Sequence, residues 1–209
     1  MPCADFSPIP DIAAGDHDAL ADALATRGAC RITGLPDADS TRALRDDLLR
    51  LADAGELAPA ATGRGGGRTL QPTLRGDRTL WLDDARCGAA ASAFLARLDE
   101  LRIALNQRLF LGLVEVEAHY ARYAPGTGYA RHRDRFHDSD ARVVSLVAYL
   151  NEGWNETDGG ALRLHSDEGA VDIPPLGGSA VCFRSEIEHE VLPALRERLS
   201  IAVWMRRRA

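Results

Sequence analysis

The stretch YARHRDRFHDSDARVVSLVAYL (129–150) joins a charged segment to an apolar run. Its first ten residues contain two histidines, two aspartates and three arginines, whereas RVVSLVAYL (142–150) has the composition of a buried β-strand. A polar cluster beside a buried strand is either a solvated turn or the edge of a metal site. The residues on both sides of this stretch decide between these interpretations.

Short apolar runs separated by turn residues extend from residue 114 almost to the C-terminus. The runs are VEVEAHYARYA, RVVSLVAYL, GALRLH, GAVDIP, SAVCF, HEVLP and RLSIAVWM. Their spacing of about 8–12 residues is typical of sandwiches and barrels, and no helical pattern alternates with them. We therefore predict an α+β protein whose core is a β-sandwich or jelly roll.

The N-terminal half has helical periodicity instead. Apolar residues recur at helical spacing in three segments, which we predict to be helices: 16–28, 37–57 and 90–110. Gly28 and Gly55 are the predicted helix ends, and Asp39 or Ser40 is the predicted N-cap of the second helix. ACRITGL (29–35) and RTLWLDD (78–84) are predicted strands.

A glycine-rich segment, ATGRGGGR (61–68), lies between the second and third predicted helices. Its glycines cost much conformational entropy to order and have no side chains with which to pack a core. The segment is therefore either a flexible hairpin tip or a mobile lid over a substrate site. We predict that residues 61–77 form a mobile loop. The whole chain is predicted to be one domain, 1–209, with mainly supporting helices in 1–110 and the core with its metal site in 114–206.

The bulk composition is that of an ordinary globular protein. The chain has 209 residues, 45% hydrophobic and 27% charged, with a formal net charge of −6. The acidic balance and the lack of a basic stripe argue against nucleic acid as a partner, and no apolar run is long enough to span a membrane. Without a CxxC pair or an N-terminal apolar leader, we expect a cytoplasmic protein with free thiols.

Three residues in the strand-rich half have the chemistry of a metal site. His132 and Asp134 are separated by one residue, so that on a strand their side chains would share a face, and His189 precedes a later strand run. Two imidazoles and one carboxylate form the facial triad of non-haem Fe(II) oxygenases, which leaves open positions for a chelating co-substrate and dioxygen. An HxD motif alone is a weak signal, because a surface histidine is the more common explanation for it.

Arg198 strengthens the metal interpretation. It stands nine residues after His189, at the head of the apolar run RLSIAVW, where alternation would place it on the same face as Ser200. A buried arginine needs a partner, and its planar fork matches a carboxylate, such as that of a dicarboxylate co-substrate. The alternative is a surface arginine on an edge strand of an arginine-rich protein.

These motifs together resemble a known family. RYAPGTGYARHRD, VAYLNEGW, GGALRL, HEVLPA and RLSIAVW are similar to the hypoxia-sensing prolyl hydroxylases and their bacterial relatives, which are 2-oxoglutarate- and Fe(II)-dependent dioxygenases. LRGDRTLWLDD (74–84) is similar too, so the resemblance covers roughly residues 60–206. Collagen-type prolyl hydroxylases usually have lysine where Arg198 stands.

The resemblance implies a double-stranded β-helix and a set of roles for individual residues. His132, Asp134 and His189 would bind Fe(II), and Arg198 and Tyr149 would hold the far carboxylate of 2-oxoglutarate. Tyr149 fits a core tyrosine equally well. The other implied positions are Tyr123 and Trp204 beside the metal and cofactor, Arg131 at the rim, Arg75 and Asp77 beside the mobile loop, and, in that loop, Arg64 and Arg68 toward substrate.

The implied activity is hydroxylation of a prolyl residue in an exposed loop of a protein substrate, for which the bacterial relatives suggest a translation elongation factor. Dioxygen is the oxidant, 2-oxoglutarate is consumed, and ascorbate is the implied reductant. The alternatives are the same chemistry on a free amino acid, another small molecule or a nucleic-acid base, and a non-catalytic jelly roll that binds metal or a partner protein. Ala202 stands where the animal enzymes have a hydroxyl side chain, and their YAPGTGY turn is longer, so substrate choice is the least determined property.

Overall fold

The computed structural model describes residues 9–60, 71, 74–135, 140–167 and 169–208. The helices in this part of the chain are α1 (His17–Thr26), α2 (Ala38–Asp53) and α3 (Ala89–Leu109). The strands are β1 (Asp11–Ala13), β2 (Ala29–Thr33), β3 (Ala58–Pro59), β4 (Asp77–Trp81), β5 (Leu113–Tyr123), β6 (Tyr129–His132), β7 (Arg142–Tyr149), β8 (Leu162–Ser166), β9 (Gly169–Ile173), β10 (Ser179–Arg184), β11 (His189–Val191) and β12 (Arg198–Arg207). None of these helices combines the length and the apolar character that a membrane span requires.

The strands form two sheets. The larger has eight strands in the order β1-β2-β10-β7-β12-β5-β4-β3, and the smaller has four in the order β6-β11-β8-β9. Among these strands only the short β1–β2 pair is parallel. Side chains of both sheets form one apolar cluster, which includes Tyr149 and Phe183 from the larger sheet and Leu162 and Leu164 from the smaller. The structure is therefore α+β with a jelly-roll core, as the sequence predicted.

The helices cover the opposite face of the larger sheet. Leu44 and Leu48 of α2 and Leu98 of α3 belong to the same buried cluster as Leu146 of β7 and Ile201 of β12. Leu44, Leu48 and Leu98 are fully buried, which is the expected result of apolar residues at helical spacing facing a sheet. The helices thus support the face of the sheet that points away from the predicted metal site.

The cap of α2 differs from the prediction. The Oδ1 atom of Asp37 accepts a hydrogen bond of 2.8 Å from the backbone N–H of Ser40, and Asp37 itself has an extended backbone. Asp39 and Ser40, the predicted caps, already lie inside the helix. The prediction was wrong because three candidates within four residues (Asp37, Asp39 and Ser40) precede the same apolar pattern, and only the backbone conformation distinguishes the residue that caps. The predicted ends of α1 and α2 are confirmed, since Gly28 and Gly55 adopt positive φ angles of 80° and 74° just beyond them.

Candidate functional site

The three predicted metal ligands converge at the edge of the smaller sheet. His132 ends β6, His189 begins β11, and these two residues are paired across the two strands. One ligand atom from each of His132, Asp134 and His189 lies within 4.8 Å of the others. The expectation that His132 and Asp134 share a strand face is wrong in detail, because β6 ends at His132 and Asp134 lies two residues beyond it.

Both imidazoles are oriented by the backbone. The Nδ1 atom of His132 lies 2.8 Å from the carbonyl oxygen of Ala130, and Nδ1 of His189 lies 3.0 Å from that of Ile187. Since a carbonyl oxygen only accepts hydrogen bonds, each Nδ1 carries a proton, and in a neutral imidazole this leaves the lone pair on Nε2. These Nε2 atoms lie 3.7 Å (His132) and 3.5 Å (His189) from the carboxylate oxygens of Asp134.

The surroundings of His132 and Asp134 keep both ligands in the protonation states that a metal ion requires. Desolvation, together with the neighbouring His189, lowers the pKa of His132 to about 4. Burial alone would raise the pKa of Asp134, but His189, His132 and Arg142 outweigh it and lower that pKa. At neutral pH the group therefore presents neutral His132 and ionised Asp134, the forms that coordinate a metal ion.

Two serines that the sequence analysis missed hold Asp134. The hydroxyl of Ser145, on β7, donates a hydrogen bond of 2.7 Å to Oδ2 of Asp134, and the hydroxyl oxygens of Ser145 and Ser185 are 2.8 Å apart. Both serines are buried. A serine in an apolar strand, as in RVVSLVAY, is a weak signal by itself, because only the fold shows which carboxylate its hydroxyl reaches.

Arg198 is the largest fully buried side chain of the described residues and lines the same cavity as the triad. Its Nε donates to the carbonyl oxygen of Gly160 at 2.9 Å and its Nη1 to Oγ of Ser200 at 3.0 Å, which confirms that Arg198 and Ser200 share a face. Its Nη2 is buried and makes no hydrogen bond to the described residues, and the same is true of the Tyr149 hydroxyl. Burial raises the pKa of Tyr149 to about 12, so the phenol stays protonated and can donate.

Gly160 is required for this arrangement. Its φ angle is 69°, and a Cβ atom there would lie 2.9 Å from Cβ of Ala194 and 3.3 Å from Cδ of Arg198. Only a glycine lets the backbone carbonyl approach the buried guanidinium this closely without strain.

Tyr123 and Trp204 also line the cavity, where the resemblance places them. The Arg198 guanidinium carbon lies 5.2 Å from the centre of the Tyr123 ring and 5.3 Å from that of Tyr149. Trp204 is held from the other side by Arg142, whose guanidinium carbon is 3.8 Å from the indole ring. Two aromatic rings, those of Tyr123 and Tyr149, therefore flank the Arg198 guanidinium.

Arg75 and Asp77 form a buried ion pair at the opposite side of the cavity. The guanidinium donates to both oxygens of Asp77, at 2.7 and 3.0 Å, and lies over the ring of Tyr129, which stacks on His132 with centres 3.7 Å apart. His119, to which the sequence analysis assigned no role, lines the cavity too, with its Nε2 3.2 Å from Nη2 of Arg75.

Arg131, which the resemblance places at the rim, is not among the residues that line the cavity. The exposed Arg131 pairs with Glu188 on the outer surface of the smaller sheet. Arg64 and Arg68, most of the predicted loop 61–77, and His137 lie outside the described residues.

The residues present fit iron and 2-oxoglutarate. Two imidazole nitrogens and one carboxylate are the donor set of non-haem Fe(II) oxygenases. The unused Nη2 of Arg198 and the unused hydroxyl of Tyr149 are two buried donors on neighbouring side chains, since the guanidinium carbon lies 5.3 Å from the centre of the Tyr149 ring, and a carboxylate group can accept from both.

Comparisons with known proteins agree with this chemistry. The sequence model of the 2OG-Fe(II) oxygenase superfamily matches residues 118–206. Human Egl nine homolog 1 is 33% identical over 140 residues, which are 63% of this chain and 33% of the human protein. The chain thus spans about a third of the length of this curated relative.

Solved structures of prolyl hydroxylases match over most of the chain. A Pseudomonas putida prolyl-4-hydroxylase is 46% identical in sequence and superposes with a TM-score of 0.83. The superposition covers 92% of this chain and 100% of the other. A Trichoplax adhaerens prolyl hydroxylase was solved in complex with a hypoxia inducible factor oxygen degradation domain peptide fragment. It is 28% identical in sequence and superposes with a TM-score of 0.80, over 91% of this chain and 88% of the other. With the His132–Asp134–His189 triad and the buried Arg198 in place, the chain belongs to the 2OG-Fe(II) oxygenase superfamily and, within it, to the prolyl hydroxylase-like oxygenases.

Proposed function

We propose that this protein hydroxylates a prolyl residue of a protein substrate in a reaction that consumes 2-oxoglutarate and dioxygen. The observation that carries the proposal is the pair of unused buried donors, Nη2 of Arg198 and the hydroxyl of Tyr149, behind a His-Asp-His triad. A metal-binding interaction module has no use for a buried guanidinium without an anionic partner, because burying an unsatisfied polar group costs on the order of 2–7 kcal/mol and an unpaired charge costs more. A carboxylate ligand removes that cost.

In this proposal, different residues of the chain bind 2-oxoglutarate, bind Fe(II) and line the cavity. Arg198 and Tyr149 bind the far carboxylate of 2-oxoglutarate, and His132, Asp134 and His189 hold Fe(II). When bound, Fe(II) and 2-oxoglutarate supply the activation of dioxygen by which a C–H bond of proline becomes C–OH. Tyr123, Trp204 and the ion pair of Arg75 with Asp77 exclude bulk water and fix the shape of the cavity.

The proline specificity and the protein substrate rest on the relatives. The Pseudomonas putida structure is named a prolyl-4-hydroxylase, and the Trichoplax adhaerens enzyme is bound to a peptide fragment of a protein. We further propose that the substrate is an exposed proline-containing loop, with a translation elongation factor as the first candidate, and that ascorbate keeps the iron reduced. A cytoplasmic location belongs to the same proposal.

The test is a search for oxidised residues in an extract treated with the purified protein, Fe(II), 2-oxoglutarate, ascorbate and air. We expect succinate release and a mass increase of one oxygen atom on a proline of one or a few proteins. The His132→Ala variant is the control and should show neither. Oxidation of a free amino acid or a nucleic-acid base instead would contradict the prolyl assignment, and a wild-type protein that releases no succinate with any substrate would contradict the enzyme assignment.

A further inference from the structure

Asp134 is the triad residue with the least support from its own secondary structure. His132 and His189 stand on paired strands, whereas Asp134 lies in a bend beyond the end of β6. A metal ligand nevertheless needs a fixed orientation, because small displacements of ligands weaken coordination. Contacts from outside its own strand must therefore hold the Asp134 carboxylate.

The contacts come from the ends of β7 and β10. The backbone N–H of Arg135 donates to the carbonyl oxygen of Ser185 at 2.9 Å, which ties the bend to the residue after β10. The backbone N–H of Ser185 donates in turn to the carbonyl oxygen of Val143 at 3.0 Å. This backbone frame brings the side chains of Ser145 and Ser185 next to Asp134.

The direction of the hydrogen bonds between the side chains follows from the number of protons. An ionised carboxylate only accepts, so the single hydroxyl proton of Ser145 is committed to Oδ2 of Asp134 at 2.7 Å. Ser145 can then only accept from Ser185 across the 2.8 Å contact. The result is a chain in which Ser185 donates to Ser145 and Ser145 donates to Asp134. Such consecutive bonds polarise and strengthen each other in a buried setting.

We propose that Ser145 and Ser185 form a positioning relay that orients Asp134 and thereby sets the affinity of the metal centre, with Ser145 as the direct contact and Ser185 as its support. This inference rests on the metal centre of the proposed function. Neither serine touches the metal or 2-oxoglutarate in this proposal. Both act through Asp134, as partners behind metal ligands do elsewhere.

The experiment titrates metal-free protein with Co²⁺ and follows the Co²⁺ absorption bands, a readout that needs no turnover. Ser145→Ala should weaken Co²⁺ binding by about 10- to 100-fold, the usual cost of removing a partner behind a metal ligand. Ser185→Ala should weaken it less, because Ser145 keeps its bond to Asp134. Ser179→Ala is the matched control, since Ser179 is also buried and on β10 but bonds the carbonyl oxygen of Leu176, and it should bind as the wild type does.

Ser145→Thr and Ser145→Val separate the hydroxyl from the packing. The two side chains have nearly the same shape and only threonine can donate, so Co²⁺ affinity should be retained much better by Thr than by Val. Equal affinities of the Thr and Val variants, or wild-type affinity of Ser145→Ala, would overturn the relay. A greater loss in Ser185→Ala than in Ser145→Ala would overturn its direction. If the wild-type protein itself bound no Co²⁺, the metal centre would be wrong and this proposal with it, whereas tight Co²⁺ binding without succinate release contradicts the proposed activity alone.

Discussion

The two faces of the eight-stranded sheet are built from alternate residues of the same strands, yet they are opposites chemically. On β12 the residues that belong to the helix-facing core are Leu199, Ile201, Val203 and Met205. Their neighbours Arg198, Ser200 and Trp204 line the cavity that contains the triad. The same division appears on β5, where Ala118 and Tyr120 face the helices and His119 faces the cavity.

The difference shows how one sheet serves both stability and chemistry. Each large apolar side chain buried on the helix face stabilises the fold by about 1.5–3 kcal/mol. The cavity face instead buries Arg198, His119 and Ser145, with Asp134 beside it, and the desolvation of these groups costs free energy unless they find partners. The apolar face therefore offsets the cost of holding unused donors and a neutral imidazole in place for a ligand. Substitutions on the helix face should therefore change the unfolding free energy, and substitutions on the cavity face should change ligand binding.

The largest expected effect is at Arg198. Arg198→Met should weaken 2-oxoglutarate binding to the Mn²⁺-loaded protein by about 2–5 kcal/mol, or roughly 30- to 4,000-fold, because the far carboxylate would be buried without its charged partner. The unfolding free energy of the ligand-free protein should be unchanged or higher, since the variant no longer buries an unsatisfied Nη2.

Calorimetric titration and urea unfolding measure the two quantities for Arg198→Met. Arg122→Met is the control, because Arg122 lies on the adjacent strand β5 and pairs with Glu197 away from the cavity. If the Arg198→Met variant kept its 2-oxoglutarate affinity but unfolded more easily, Arg198 would stabilise the fold and would not bind the co-substrate.

The next effect is a pH dependence from His119. Burial, together with the charge of Arg75, lowers the pKa of His119 from 6.5 to about 4, against a smaller opposing effect of Asp77. The unfolded chain therefore binds a proton at His119 as the pH falls below 6.5, whereas the folded protein does not until about pH 4. The contribution of His119 to the unfolding free energy is therefore fully present above about pH 6.5 and is lost as the pH falls from 6.5 toward 4.

Replacing His119 by Gln keeps a hydrogen-bond acceptor for Arg75 and removes the titration. Between about pH 7 and pH 5 the wild type should lose about 2 kcal/mol more unfolding free energy than His119→Gln. Urea unfolding of both proteins across this range checks the difference. Arg142 also faces His119 and stays charged throughout, so it does not alter the sign. Parallel curves for the two proteins would mean that His119 takes up its proton over the same pH range in the folded and the unfolded state.

Strand alternation made much of this division predictable from the sequence. The pattern in RLSIAVW placed Arg198 and Ser200 on one face, and HxD with a distant His and Arg identified the triad and the family. Composition and strand spacing were enough for the α+β jelly roll. Periodic patterns succeed here because a face buried by a sheet demands them over several residues.

What the sequence did not predict depends on contacts between distant segments. β1 and β3 have only three and two residues, too few to show a period. The position of Asp134 beyond β6 depends on the hydroxyl of Ser145, which is 11 residues away in the chain, and on Ser185 farther still. The contact of His119 with Arg75 spans 44 residues. No local pattern encodes such pairs, so the groups that orient the site were missed while its ligands were found.

The smallest expected effect tests whether the helix face is as separate from the site as its composition indicates. Ile201 is fully buried between Ser200 and Ala202, which both line the cavity. Ile201→Val should lower the unfolding free energy by about 0.5–1.5 kcal/mol through one lost methylene, with no change in 2-oxoglutarate affinity. Ile103→Val makes the same chemical change at a side chain exposed on α3 and should stay within about 0.5 kcal/mol of the wild type. Because a close-packed strand transmits strain to its neighbours, a loss of 2-oxoglutarate affinity in Ile201→Val, absent in Ile103→Val, would mean that packing against the helices also sets the position of Arg198, and the two faces would have to be treated as one unit.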